Sequence, residues 1–308
     1  MIEIGVQTKG IIPDKSSDEA IHFIKEAGFT KLDYNLDVFL KIADLKKNHT
    51  ESFFSNDIEA LRIYFQQYVE AMEKYGVRAS QMHAPYPVRI EEQEKVNEYV
   101  QGLVIPKSII IAEVLGVPYV VVHPFKMQGF YSRERERQEN IEYFKMLVPL
   151  LKQCKVKICF ENLYGGVGGR FIEGVCADPE DAIWYVDTMN EYAGEELFGF
   201  CLDTGHLQIA KRDPYEFITK LGSRLKIFHI HENDGVFDLH QMPFTFGAEK
   251  GYGLDWDGVI RGLKEINYQG TLSFETFPCM KSYPKAMASD VLRTIYKIGE
   301  YLAEEIEK

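Results

Sequence analysis

Seven residues whose side chains can hold a metal ion or move a proton fall where short apolar runs end: His83, His123, Glu161, Asp203, His206, His231 and Glu275. Apolar strands that deliver metal-competent side chains from their C-terminal ends are how a parallel β/α barrel builds an active site. Glu161, Asp203, His231 and Glu275 offer three carboxylates and one imidazole, a mostly hard, oxygen-rich set suited to Mn2+, Zn2+, Mg2+ or Co2+. Without a cation, three clustered carboxylates would repel one another and raise their pKa values, so the set predicts a bound divalent metal.

Eight runs rich in β-branched and aromatic residues read as the strands that position these groups: Ile2–Gln7, Lys31–Leu36, Arg78–His83, Tyr119–His123, Lys157–Glu161, Gly199–Asp203, Lys226–His231 and Thr271–Glu275. Amphipathic stretches alternate with them at Ser17–Ala27, Asp57–Lys74, Glu92–Leu115, Ser132–Gln153, Asp178–Asn190, Pro214–Leu221, Trp256–Ile266 and Lys285–Ile306. Ser132 and the Asp178-Pro179 pair mark helix starts. Gly28, Gly76, Gly116 and Gly270 follow helices as left-handed caps. Segments such as YVVVHP are continuously apolar, as parallel strands covered on both faces must be. The first strand is not followed by a GxGxxG turn, which argues against an open dinucleotide-binding sheet. The glycine-rich Gly166–Gly169 reads as an active-site loop. The fold class expected is α/β, a single (β/α)8 TIM barrel spanning residues 1–308 as one domain.

Composition narrows the function. With 45% hydrophobic and 27% charged residues, the 308-residue chain is ordinary for a soluble protein. No apolar run approaches the roughly 18 residues of a membrane span, and the start MIEIGVQTKG has no export signal, so a cytoplasmic location is expected. Five scattered cysteines, none in a CxxC pair, read as reduced and buried. The formal charge of -12 repels polyanions. RERER at Arg133–Arg137 alternates in sign and reads as a solvated helix start, so nucleic acid is disfavoured as a partner.

The segments MHAP, VVHPF, FEN, LDTGH, HIHEND and FET, in that order, resemble the xylose-isomerase-like β/α barrels, which group sugar-phosphate isomerases, ketose 3-epimerases and endonuclease IV. The epimerase branch implies that Glu161, Asp203, His231 and Glu275 bind one divalent ion while Glu161 and Glu275 double as the acid/base pair. His206 would then contact substrate or the metal's surroundings. The partner expected is a small sugar, polyol or sugar phosphate, and a homo-oligomer is compatible with the reading. His231-Glu232-Asn233-Asp234-Gly235 lacks the arginine that ketose 3-epimerases carry there, which leaves the substrate at the level of a class. The endonuclease branch implies a nine-residue, three-zinc phosphodiesterase site made of those four residues with His83, His123, His206, Asp238 and His240, where Asp238-Leu239-His240 supplies a D-x-H element. A non-catalytic metal- or sugar-binding barrel is the third reading.

Around this core, His83, His123, His206, Asp238, His240 and Arg170 are the candidate substrate-binding residues. Lys126 and Lys9 are further candidates for a phosphate or carboxylate, and Tyr34, Tyr86 and Phe125 for an apolar pocket wall. His229 shares a strand face with His231, and the H-x-N-D pattern makes His231 the ligand and His229 a core residue. His22, His49, Trp184 and Trp256 lie in or beside helical stretches and read as surface or packing residues.

Overall fold

The computed structural model describes residues 2–127, 133–167, 170–247 and 253–308, without the side chains at 167, 170 and 172. The Ser132 cap and Gly168–Gly169 therefore lie outside the described residues. Among the described residues ten strands follow in order: β1 (Glu3–Gln7), β2 (Lys31–Asn35), β3 (Arg78–His83), β4 (Tyr119–Val121), β5 (Lys157–Glu161), β6 (Tyr164–Val167), β7 (Arg170–Glu173), β8 (Phe198–Asp203), β9 (Leu225–His229) and β10 (Thr271–Phe274).

Eight of them form one parallel sheet in the order β10-β1-β2-β3-β4-β5-β8-β9. The ends of this order meet, because the Ile230 amide donates to Ser273 O (2.8 Å) and the Glu275 amide donates to Ile230 O (3.0 Å). The sheet is thus a closed (β/α)8 barrel, with helices between successive strands as the alternation of the sequence required. Strands four, seven and eight stop one to two residues earlier than the apolar runs, so His123, His231 and Glu275 stand just beyond the ladder.

Two apolar layers hold the barrel. A large cluster fills the space between strands and helices, with Leu32, Val120, Phe160, Phe200, Phe228 and Phe274 among its strand members. A small inner cluster of Val121, Cys159, Cys201 and Ile227 plugs the barrel itself. Residues two further along three of these strands, Glu161, Asp203 and His229, share that inward face, so the barrel interior changes from apolar to polar towards its C-terminal mouth. All five cysteines are buried and unpaired.

Local signals fix the helix ends. Ser16, one residue before the expected start, caps Ser17–Glu26 in a capping box with Glu19. Asp178 caps Pro179–Ala193, with Pro179 in the first turn. Gly76 and Gly116 adopt the left-handed cap at φ 64° and 67°. Gly270 does not: Asn267 (φ 52°) takes the left-handed position there, and a side chain at Gly270 would meet the Tyr268 hydroxyl at 2.3 Å.

After β5 the chain departs from the expected loop and forms an antiparallel hairpin, β6 with β7, registered Tyr164 to Glu173 and Val167 to Arg170. Its base is clipped to the helix that follows. Buried Asp181 accepts from the Cys176 amide (2.9 Å), from Arg133 Nη1 (3.0 Å) and from Arg137 Nη2 (2.7 Å). Asp181→Ala leaves a buried amide and two arginines without their carboxylate, and we expect a loss of about 2–3 kcal/mol, discounted because both arginines are part-exposed. Urea unfolding reads this directly, and a change below about 0.5 kcal/mol would remove the clip from the account of this hairpin.

Among the described residues no helix is long and apolar enough to cross a membrane.

Candidate functional site

Three short segments at the strand ends do most of the positioning. In Asp203-Thr204-Gly205-His206, the Asp203 carboxylate caps the helix Thr204–Ile209 by accepting from the His206 amide at 2.6 Å. The Thr204 hydroxyl donates to His231 O (2.6 Å) and accepts from the His231 amide (3.0 Å), which ties the sixth barrel strand to the seventh. Asn162 pairs both its amide atoms with the Asp203 backbone, each at 2.8 Å, and so ties the fifth strand to the sixth. Asn233 accepts from the amides of Leu239 (2.6 Å) and His240 (3.1 Å), folding the loop after β9 back over the mouth. Buried Glu232 holds the far end of that loop through the Leu254 amide (3.0 Å) and Trp256 Nε1 (3.3 Å).

The four residues of the inner set are all buried and come together. His231 Nε2 lies 2.9 Å from Asp203 Oδ2. Glu275 accepts from Gln7 Nε2 at 2.7 Å. Beneath them sits His229, with Nδ1 3.4 Å from Glu161 Oε2 and 3.3 Å from Glu275 Oε2, and Nε2 3.0 Å from Asp33 Oδ2. Among the described residues, four triplets each offer ligand atoms within 4.8 Å of one another: His83, Glu161 and His229; Glu161, Asp203 and His206; Asp203, His229 and Glu275; and His231, His240 and Glu275.

The outer set rings this core. His123 Nε2 lies 3.0 Å and His83 Nε2 3.7 Å from Glu161 Oε2. His206 and His240 present Nε2 to Asp238 Oδ2 at 3.4 and 3.2 Å. His240 stacks on His231, with ring centroids 4.0 Å apart. Three of these rings are oriented alike: Nδ1 of His83, His206 and His240 faces a backbone carbonyl, of Ala84 (2.6 Å), Asn162 (2.9 Å) and Glu275 (2.9 Å). A histidine held through Nδ1 in this way turns Nε2 towards the carboxylates, where a bound cation would take the place of its proton.

Electrostatics agree with a cation site. Burial would raise Glu161, but His123 and His229 outweigh it and hold the carboxyl well below its usual range. For Glu275, burial is likewise outweighed by His229 and His240, and its pKa is held at about 2. Burial would lower His240, yet Glu275 and Asp238 lift it to about 9. His206 is lifted well above the ordinary range in the same way, by Asp203 and Asp238 against burial. Protons on imidazoles thus balance the carboxylates, and a divalent ion would displace them. Buried His231 Nδ1 and both nitrogens of His229 lack an aligned hydrogen-bond partner, which fits donors arranged for something other than each other.

The remaining sequence candidates separate. Tyr86 lines the mouth, stacked on His123 at 4.9 Å. Lys9 is paired with Asp37 at 2.9 Å between the Tyr86 and Phe277 rings. Lys126 reaches Tyr164 O at 2.8 Å on the rim. Arg170 opens β7, but its side chain is outside the described residues. Tyr34 and Phe125 do not line the pocket. Tyr34 points outward onto Phe65 and Tyr68, because Asp33 and Asn35 take the inward positions of β2, and Phe125 packs under Tyr143 and Phe144. His22 and His49 are exposed, and Trp256 packs against Phe244. Gln7, Asp33 and Tyr164 also touch the site, and in the sequence only the inward alternation of β1 and β2 signals the first two.

Comparison with known proteins identifies the family. The chain is 26% identical over 277 residues to the uncharacterized protein y4fM of Sinorhizobium fredii, covering 85% of this chain and 82% of that protein. Shorter matches reach a probable endonuclease 4 of Staphylococcus carnosus (26% over 185 residues, 56% of this chain and 58% of that one) and a D-psicose 3-epimerase of Enterocloster bolteae (28% over 148 residues, 47% and 42%). Among solved structures, a D-tagatose 3-epimerase-like protein superposes with a TM-score of 0.71 at 19% identity, covering 99% of this chain and 98% of that one. The IolI protein with a bound zinc atom superposes with a TM-score of 0.71 at 18% identity, covering 99% of both chains. The profile of the family described as xylose isomerase-like TIM barrel matches residues 14–295. That span takes in every strand end from β2 to β10, and the chain belongs to the xylose isomerase-like TIM barrel family.

Proposed function

We infer that this protein is a divalent-metal-dependent isomerase or epimerase of a small sugar, polyol or sugar phosphate. The observation that carries the reading is the meeting of Glu161 and Glu275: two buried carboxylates from β5 and β10, three strands apart in the barrel, both in contact with one nitrogen of His229. Epimerisation removes a proton from carbon beside a carbonyl and returns it, and two carboxylates on either side of a bound substrate can do both. Asp203 and His231 complete the donor set with them, and Asp238, His206 and His240 offer hydrogen bonds to substrate hydroxyls. A divalent ion held there supplies Lewis-acid stabilisation of the negative charge on the substrate's oxygens. The bound zinc of IolI and the sugar-epimerase names of the neighbouring structures support this reading.

The second reading, a multinuclear zinc phosphodiesterase, is supported by one observation: Nε2 of His83, His123, His206 and His240 lies near the carboxylates of Glu161 or Asp238. The net charge of -12 weighs against a DNA backbone as substrate.

One pair of measurements decides. Metal content with identity is determined on the purified protein, and deuterium uptake from D2O is followed by mass spectrometry on a panel of aldoses, ketoses and their phosphates. We expect one Mn2+ or similar ion per chain with deuterium entering a carbon-bound position. Two or three Zn2+ per chain, cleavage of abasic-site DNA and no deuterium uptake would overturn the isomerase. Chelation supplies a further expected result. At ligand concentrations near 100 times Kd, binding stabilises by about 2.7 kcal/mol, so stripping the metal should lower Tm by roughly 5 °C. An unchanged Tm after complete chelation would mean that these donors hold no metal.

A further inference from the structure

Below the candidate site the barrel interior divides by strand. β4, β5, β8 and β9 fill it with Val121, Cys159, Cys201 and Ile227, whereas β1, β2 and β3 bring Gln7, Asp33 and Gln81 side by side in one register row. All three are buried, and Asp33 has no exposed surface at all. A carboxylate this deep is costly to bury without a partner. Apolar side chains fill the other half of the same barrel, so the fold alone does not require an acid here.

Its contacts show what the acid faces. Asp33 Oδ2 lies 3.0 Å from His229 Nε2, and Gln81 Nε2 donates to the same oxygen at 3.0 Å. Gln81 Nε2 also donates to Phe228 O at 2.9 Å, on the residue before His229 and across the barrel from β3. The glutamine thus ties Asp33 to the strand that carries the imidazole. At the other edge of the ring, His229 Nδ1 lies 3.4 Å from Glu161 Oε2 and 3.3 Å from Glu275 Oε2.

Different groups fix the plane of this ring and the edge it presents. His83 stacks on His229 with centroids 5.3 Å apart and 14° between the rings, which sets the plane. A half-turn about the Cβ–Cγ bond keeps that plane but puts a C–H where Nδ1 faces Glu161 and Glu275, and another where Nε2 faces Asp33. The Cys201 thiol of the plug also touches the ring, but a thiol is a weak donor and a weak acceptor and selects no edge. A carboxylate only accepts, so Asp33 favours the edge that carries an N–H. The pair stands at hydrogen-bond distance without being in line, and such contacts tighten when a site is occupied. We propose that Asp33 is a positioning residue of the site: anchored by Gln81, its carboxylate selects the edge of His229 that faces Glu161 and Glu275, so that Nδ1 stays a donor for the cation these carboxylates hold. The proton then sits on Nε2, and the imidazole has one orientation. This rests on the metal-dependent reading and extends the site to residues beneath it.

The test is calorimetric titration of the metal-free protein with Zn2+ and with Mn2+, on the natural chain, Asp33→Asn, Gln81→Met, His229→Gln and the double variant Asp33→Asn/His229→Gln. Asp33→Asn keeps the size of the side chain and should weaken metal binding about 10- to 100-fold. Gln81→Met removes the anchor and no charge, and should weaken it in the same direction. In the His229→Gln background, Asp33→Asn should change affinity by less than about twofold, because its route to the metal is gone. Histidine 15N NMR of the zinc-loaded natural chain should show the proton of His229 on Nε2, the signal being assigned by its loss in His229→Gln. Affinity within about twofold of the natural chain in Asp33→Asn would make the carboxylate a packing residue and overturn the proposal. A loss undiminished in the His229→Gln background would overturn it too, since Asp33 would then act by charge and not through the ring. Should Asp33→Asn fail to fold, Gln81→Met decides, and unchanged affinity there overturns the proposal. A natural chain that binds neither ion would sink the metal-dependent reading itself, and the proposal with it.

Discussion

Glu161→Gln and Glu275→Gln are each expected to lower turnover by about 100- to 10,000-fold at saturating metal, the range a positioned proton-transfer group supplies. The amide keeps the size and planarity of the carboxyl but cannot take up a proton. KM should change far less than kcat, because the loss falls on the transition state instead of on ground-state binding. Glu275 also accepts from Gln7 Nε2, and a glutamine there can keep that contact through its own oxygen. The double variant should lose little more than the worse single one, since both carboxylates serve one proton's departure and return. The measurement is steady-state kinetics together with deuterium uptake from D2O, with metal content determined on each variant. Each single variant keeping more than about a tenth of the natural rate with metal bound would end the acid/base assignment. Loss of activity with loss of metal, restored by added metal, would reduce both residues to ligands.

What the sequence made legible follows from the physics of a buried parallel strand. Such strands are apolar throughout, so a histidine or carboxylate at the end of a run stands out, and Glu161, Asp203, His206 and Glu275 could be marked before any contact was known. The alternation of helix, glycine and strand did the same for the closed barrel. Period-two reasoning is blind to depth, however. His229 and His231 share a face, and the structure puts His229 deep enough to meet Asp33 below, yet high enough to touch Glu161 and Glu275. It is buried like a core residue and placed like a site residue, two properties that a pattern cannot hold together. Tyr34 could have been placed outward, since Asp33 and Asn35 flank it and the upper barrel interior is polar. Phe125 could not, because it lies in irregular backbone beyond β4 where no period applies. The hairpin β6–β7 reads as a loop in the sequence for a similar reason. Its glycines mask the strand pattern, and its pairing partner lies in the residues that follow them.

Gly205→Ala is expected to cost about 3 kcal/mol of stability, at the upper end for overpacking, and to weaken metal binding and turnover together. A Cβ at this position would stand 2.0 Å from His231 Cε1, 2.3 Å from His231 Nδ1 and 2.5 Å from Asn233 Nδ2. No real contact is that short, so one of the two sides must move. The imidazole has little room to do so, being buried, stacked 4.0 Å from His240 and fixed through its own amide and carbonyl by the Thr204 hydroxyl. Moving the helix Thr204–Ile209 instead would pull the His206 amide off Asp203 and carry the His206 ring away from Glu161 and Asp238. Either displacement disturbs donors from two strands at once, and a shift of about 1 Å in such a site costs roughly 100-fold in rate. Metal titration, turnover and thermal melting should therefore all fall in the one variant. Gly102→Ala provides the control, because a Cβ there meets nothing within 4 Å and helix propensity favours alanine over glycine by up to about 1 kcal/mol. A Gly205→Ala protein with metal affinity and turnover within about twofold of the natural chain would show that His231 is not held where the site needs it.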